Sequence, residues 1–301
     1  MEYQKTIKRM VDCNGIGLHS GKPVHLRMLP AEASTGVIFR RTDLNYAEVP
    51  VKQEFITQVN YATSISNGQT KVFTIEHLLA ALYGMGVNNI VIEMDADEVP
   101  ILDGSASPFV ELLRSADVVQ LDRPNCFLQI LEPIEAKDGD RFIGVYPSDH
   151  FDISYTISFP HPWLRKQEKT VRVTRQNFIK QIAPARTFGF LQEIEQMRAH
   201  NLALGGSLEN AIVLTEHGIL NEHLRFPDEF VRHKILDLIG DLALLSYGLL
   251  GHFVAYKAGH HLHSELTSKI LEHPEKWDLV LWKNKVRDFP KFRIPVPATA
   301  I

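Results

Sequence analysis

Residues 227–248 read PDEFVRHKILDLIGDLALLSYG, and the rest of the chain is organised around them. Phe230, Val231, Ile235, Leu236, Leu238, Ile239, Leu242, Leu244 and Leu245 make the stretch apolar on most sides, which predicts a helix buried in the interior. Asp228 stands where a cap is needed, Glu229 suits the first turn and Gly248 marks a stop. Yet the same helix carries His233, Asp237 and Asp241 at i, i+4 and i+8, which fall on one stripe at 3.6 residues per turn. Two buried carboxylates without partners cost on the order of several kcal/mol or must protonate. Something cationic therefore meets the stripe. A divalent metal fits, because His and Asp four apart can offer an imidazole nitrogen and a carboxylate oxygen to one ion. A lone HxxxD pair is more often a core histidine with a carboxylate partner. Asp241 weakens that bland reading without reversing it, and further ligands have to come from elsewhere in the chain.

The whole chain narrows the classes open to it. Its 301 residues suffice for two domains with sizeable cores. Apolar content of 45% and charged content of 23% are ordinary for a soluble globular protein. A net charge of −4 argues against a dedicated nucleic-acid binder. Cys13 and Cys126 lie too far apart for a CxxC zinc site and are too few for a disulfide framework. The N-terminus MEYQKTIKRMVDCNG lacks the apolar core of a signal peptide, and no apolar run reaches the ~18 residues needed to span a bilayer. These features point to a reducing cytoplasm. Fourteen histidines favour metal or proton chemistry.

Upstream, the pattern predicts strands over 6–11, 24–29 and 35–40, with a turn at Asn14-Gly15. GIGLHSG (15–21) reads as a flexible loop with His19 at its crest, and it lacks the glycine spacing of a phosphate-binding fingerprint. Taken alone, His19 is a loop hydrogen-bonder. KVFTIEHLLAALYGM (71–85) predicts a helix capped by Thr74 and ended at Gly84 or Gly86. Glu76 and His77 fall in its first turn, about 100° apart around the axis, so they are not equivalent ligands. A histidine ligand beside a glutamate that reaches bound water is a sensible division of labour, while a surface glutamate and a helix-start histidine fit equally well. A strand over 87–94, a turn at Asp103-Gly104 and a helix over 107–115 follow.

A polar, Pro-containing break at Leu121–Asn125 marks a boundary, giving an N-terminal domain over 1–122, a C-terminal domain over 126–278 and a peripheral tail over 279–301. The second half restarts with strands over 126–130, 141–146 and 151–158 and a helix-like segment over 175–181. After ARTFGF, Glu193–Arg198 can start a helix, Gly205-Gly206 breaks it and Ala211–Leu214 reads as a strand. A strand over 252–257, the loop GHHLH with His260, His261 and His263, and a helix over 264–271 complete it. The expected fold class is α+β, with two sheet-plus-helix domains packed together.

GIGLHSG, TGVIFRRTDL, TIEHLLAAL, ILDGSASPF, ARTFGF, LGGSLENAIVL, LNEHLRFPDEFVRHKILDLIGDL and YKAGH follow one another over nearly the whole chain. Together they resemble the UDP-3-O-acyl-N-acetylglucosamine deacetylases, the zinc amidases of lipid A biosynthesis. The resemblance implies two similar domains with a zinc site between them, and one Zn2+ per chain on His77, His233 and Asp237. Water in the fourth place makes such a site catalytic rather than closed. It implies Glu76 as general base, His260 as the catalytic histidine charged and oriented by Asp241, Thr187 as a donor to the oxyanion, and Lys234 as a polar group lining the site. It assigns the stretch near 190–214 to an inserted unit that forms a passage for the 3-O-acyl chain. Leu18, His19, Phe188, Leu191, Ile194, Ala203, Ser207, Ala211 and Val213 are its substrate-binding residues, although such apolar and small residues also suit a domain core.

The same resemblance implies an acylated UDP-sugar as substrate and a cytoplasmic monomer without nucleic-acid partner or membrane span, leaving room for transient proximity to a membrane surface. Ala62 stands where some relatives carry cysteine, and PVPATAI at the end has no obvious counterpart, so tail-dependent regulation is not assumed. Two other classes stay open. One is a zinc amidohydrolase of a different substrate, although no HExxH helix supports a zincin protease. The other is a metal-stabilised binding protein, which calls for a closed four-ligand site.

Overall fold

The computed structural model describes residues 3–58, 61–161 and 164–281. In the first half, five strands form a sheet in the order Val11–Ile16, Pro23–Pro30, Ile90–Met94, Val37–Arg41 and Ala47–Pro50. Ile90–Met94 runs parallel to Val37–Arg41 and the other neighbours are antiparallel. Pro23–Pro30 shows why: Val24, Leu26 and Met28 alternate onto one face and are buried there. The turn expected at Asn14-Gly15 is absent. Both residues lie in a strand, paired with His25 and Val24, and the chain reverses at 18–20 instead. Gly15 is needed for close approach, since a Cβ there would stand 2.7 Å from that of Pro100.

Two helices follow from this half, α1 (Glu76–Met85) and α2 (Ser107–Ser115). α1 ends on Gly86 at φ 74°, the left-handed cap for which glycine is suited. Thr74 does not cap it. Ile75 holds the cap position, and Thr74 sits at φ 56° with its hydroxyl donating to Glu98. The Asp103-Gly104 turn forms as expected, with Gly104 at φ 80°.

The second half is built on the long strand Gly248–Tyr256, which pairs with Arg141–Tyr146, Phe151–His161 and Cys126–Ile130. Trp277–Leu281 adds an antiparallel edge against Cys126–Ile130. Residues 279–281 therefore belong to the sheet rather than to a tail; five residues, WDLVL, gave too short a pattern to stand out. Residues 282–301 lie outside the described residues. Between sheet and central helix, Phe188–Phe190 pairs with Ile212–Thr215, and α3 (Leu191–Ala199) lies between them in the chain. The segment over 175–181 is one α-turn followed by π-helical winding from Phe178 to Ile182.

The central helix is α4 (Glu229–Leu242), and α5 (His260–Glu272) closes the half. Every residue of α4 except Arg232 and Lys234 is buried. Its isoleucines and leucines each contribute roughly 1.5–3 kcal/mol on burial, which offsets the cost of carrying ionisable groups inward. Asp228 occupies the cap position without capping, because its carboxylate accepts from Arg232. α4 stops at Leu242 and a 3-10 turn carries the chain to Ser246 at φ 63°, so Gly248 opens a strand instead of ending the helix. α1 and α4, one from each half, pack directly together. Gly240 permits this, since a Cβ there would collide with the Glu76 carbonyl. The fold is α+β, two sheet-plus-helix halves joined through a continuous apolar interior.

Candidate active site

The start of α4 is fixed by a buried ion pair. Glu229 accepts from Arg186 Nε at 2.9 Å and Nη2 at 3.2 Å, and from the N–H groups of Arg186 and Arg225 at 3.0 and 2.6 Å. A carboxylate so placed also suits the positive end of the helix. The contact holds ARTFGF against α4, so that the Ala185 carbonyl accepts from His233 Nδ1 at 3.1 Å. A carbonyl only accepts, which places the proton on Nδ1 and leaves Nε2 free to ligate.

His233 and Asp237, one turn apart, meet His77 from the first turn of α1. Their candidate ligand atoms lie within 4.8 Å of one another. Nε2 of His233 is 3.2 Å and Nε2 of His77 is 3.6 Å from Asp237 Oδ1, and the two rings meet edge to face. Lys234 Nζ donates to the other oxygen, Oδ2, at 2.8 Å. Burial lowers the His233 pKa to about 3, so the ring is neutral as a ligand must be. Burial pushes the Asp237 carboxyl up, but His233 and Lys234 outweigh it and hold the pKa well below the usual range. Two imidazole nitrogens and a carboxylate oxygen could hold a metal ion, and among the described residues that group contains no fourth protein donor.

Asp241 belongs to a second cluster. Its Oδ2 lies 2.7 Å from Nδ1 of both His260 and His263, and its Oδ1 accepts from the Thr63 hydroxyl at 2.5 Å. His263 Nε2 is 3.0 Å from the Tyr155 hydroxyl oxygen, which also lies 2.8 Å from the Ala258 carbonyl oxygen. At 2.7 Å a carboxylate and an imidazole nitrogen need a proton between them, so this group is a hydrogen-bond network rather than a metal cage. Burial alone would lower the His260 pKa, but the charge and hydrogen bond of Asp241 raise it to about 9. Burial holds His263 below its usual value despite the same carboxylate. His260 is thus the cation of the pair, and its Nε2 faces the first cluster, 3.9 Å from Asp237 Oδ2. Glu76 is buried beside both, and burial raises its carboxyl above the ordinary value. Its Oε2 accepts from the Thr63 N–H at 3.1 Å, so Thr63 ties Glu76 to Asp241.

Leu18, His19, Phe188, Leu191, Ile194, Ala203, Ser207, Ala211 and Val213 all line one cavity of about 230 Å³, and Thr187 lines it too. Phe188 links it to the donor cluster, its ring 6.2 Å from the His233 ring and 5.7 Å from Lys234 Nζ. Both ring nitrogens of His19 are buried without a hydrogen-bond partner. Such an orphan costs about 1–3 kcal/mol and marks a place for a polar ligand group. Ala62 lines a neighbouring pocket with Ser20, Tyr61 and Glu98 instead. Thr63, Arg186, Glu229, Tyr155 and His263 were not legible as site residues from the sequence. Only His263, three residues after His260 on the same helix face, offered a signal.

The buried carboxylate of Glu76 and the buried imidazole of His260 lie beside donors that could hold a metal, with an apolar cavity alongside. Residues 4–272 match the family described as LpxC, UDP-3-O-acyl N-acetylglycosamine deacetylase, and the chain belongs to that family. It is 45% identical over 288 residues to the UDP-3-O-acyl-N-acetylglucosamine deacetylase of Pseudomonas entomophila, covering 94% of this chain and 95% of that one. It is 44% identical to the proteins of the same name from Shewanella sp. strain ANA-3, covering 98% of each chain, and Cellvibrio japonicus, covering 95% of each.

Proposed function

We propose that the chain hydrolyses the N-acetyl group of UDP-3-O-(3-hydroxyacyl)-N-acetylglucosamine, with one Zn2+ on His77, His233 and Asp237, and releases acetate for lipid A biosynthesis. The convergence of those three donors beside Glu76 and His260 carries the reading. Zinc at such a site lowers the pKa of bound water toward ~7 and polarises the amide carbonyl. Glu76 takes the proton of the attacking water, its raised pKa bringing it nearer the working pH. The cationic His260 and the Thr187 hydroxyl stabilise the oxyanion, and His260 protonates the departing amine as the C–N bond breaks. Asp241 keeps His260 charged and oriented, and Lys234 holds Asp237 while lining the site. Acetate and a free 2-amino sugar result. Acetate release from the acylated nucleotide sugar, compared with its unacylated counterpart, tests the reading; equal rates on both would reopen which acylated sugar is served. Among the described residues no helix is long and apolar enough to cross a membrane. A cytoplasmic monomer that meets the membrane surface transiently fits the reading.

Two consequences are measurable. The pH–rate profile is expected to be bell-shaped, falling on the basic side as His260 loses its proton. Asp241 raises the His260 pKa to about 9, and a dication nearby works against that rise. Asp241→Asn removes the charge that raises His260, so the limb should move to lower pH. An unmoved limb would detach Asp241 from His260, and the apparent values belong to the coupled groups.

The cavity is read as the acyl passage. Each buried methylene is worth about 0.8 kcal/mol before ordering costs, so several amount to orders of magnitude in kcat/KM. Ala203 sits at φ 54°, where a bulky residue is strained regardless of space. Ala211→Phe is the better block: it should penalise long acyl chains strongly and short ones little, with zinc content intact. Equal losses at every chain length would contradict the passage.

A further inference from the structure

Glu98 is a buried carboxylate, 3% exposed, that the reaction as described does not use. Three hydrogen-bond donors from two segments satisfy it. Its Oε1 accepts from the His19 N–H at 2.8 Å and the Thr74 hydroxyl at 2.9 Å, and its Oε2 accepts from the Ser20 N–H at 2.8 Å. Gly17 makes room for it, since a Cβ there would collide with the carboxylate.

The first segment is a wall of the cavity. Leu18 and His19 line it, and their carbonyls accept from the N–H groups of Gly205 and Leu204 at 3.0 and 3.1 Å. The second segment launches α1. Thr74 precedes Glu76 by two residues and holds a left-handed backbone that a β-branched residue adopts only when its surroundings enforce it. Bonds on either side clamp the same stretch, from the Phe73 N–H to the Asp97 carbonyl at 2.8 Å and from the Val99 N–H to the Phe73 carbonyl at 3.1 Å.

We infer that Glu98 is a positioning residue that couples filling of the acyl cavity to the placement of Glu76 and His77. The inference rests on the passage reading above. A chain seated against Leu18 and His19 fixes their loop, the loop fixes Glu98 through two N–H groups, and Glu98 fixes Thr74 at the start of α1. Acyl length then acts on kcat as well as on KM, whereas a chain that only adds uniform binding acts on KM alone.

The test is kcat, KM and zinc content across a series of acyl lengths for wild type, Glu98→Gln, Thr74→Val and Thr74→Ser. Wild-type kcat should rise with length. Glu98→Gln and Thr74→Val should keep one zinc per chain yet lose about tenfold or more in kcat on long chains, within the ~10²-fold that a 1 Å misplacement costs. Short-chain kcat should barely change, KM should keep its length dependence, and Thr74→Ser, which retains the hydroxyl, should behave as wild type. The Thr74 pair decides the matter should Glu98→Gln fold poorly. A uniform loss at all lengths, a wild-type Thr74→Val, or a wild-type kcat independent of length with KM alone varying overturns the coupling. A wild-type kcat/KM that ignores acyl length overturns the passage reading as well, and is seen before any variant is made.

Discussion

Glu76→Gln is expected to retain its zinc and to lose about 10²–10⁴ in kcat, the usual worth of a positioned general base. The substitution keeps the shape of a side chain that is 3% exposed and packed where α1 meets α4. It removes the one property the mechanism needs, a carboxylate able to take a proton. The pKa of Glu76 is raised by burial, with the His260 charge working against that effect, so its protonation should form the acid limb of the wild-type profile. Residual turnover in the variant should lack that limb. Near-normal turnover would show that another group accepts the proton. The remaining neighbours are poor substitutes: Asp241 is occupied by three donors and Asp237 by Lys234 and the ligand set.

His233→Ala is expected to lose zinc and activity together. Zinc supplies several kcal/mol of transition-state stabilisation, and each ~1.4 kcal/mol is a factor of ten, so a loss of at least about 10³ follows. The helix itself should persist, because the Arg186–Glu229 pair and the apolar faces of α4 hold it independently of the metal. Thermal unfolding and circular dichroism check that point, and elemental analysis checks the metal. His77→Ala should give the same result from the other half of the molecule. Full zinc occupancy in both variants would sink the ligand assignment.

Much of this was legible in the sequence for physical reasons. A long apolar helix that carries His233, Asp237 and Asp241 violates ordinary burial rules, and such violations concentrate at functional sites. Alternation in Pro23–Pro30 and a glycine at the end of α1 were equally readable. What escaped depends on distances between segments far apart in the chain. Asn14-Gly15 has the composition of a turn, but its glycine answers to Pro100, not to the local backbone. Thr74 looks like a cap, yet its hydroxyl is claimed by Glu98 from 24 residues away. The expected single stripe on α4 divides into two clusters, because His77 enters from α1 at one turn while Thr63, His260 and His263 surround the next. Glu229 reads as a first-turn carboxylate, and nothing local reveals that it is also the anchor of ARTFGF.

The central claim, that three side chains from the two halves hold one catalytic zinc for deacetylation, is tested most directly by stripping the purified protein with a chelator and titrating zinc back while acetate release is followed. The donor set predicts no turnover in the metal-free protein, recovery in proportion to added zinc, and saturation at one ion per chain. Unchanged acetate release from protein shown by elemental analysis to contain no metal would contradict it.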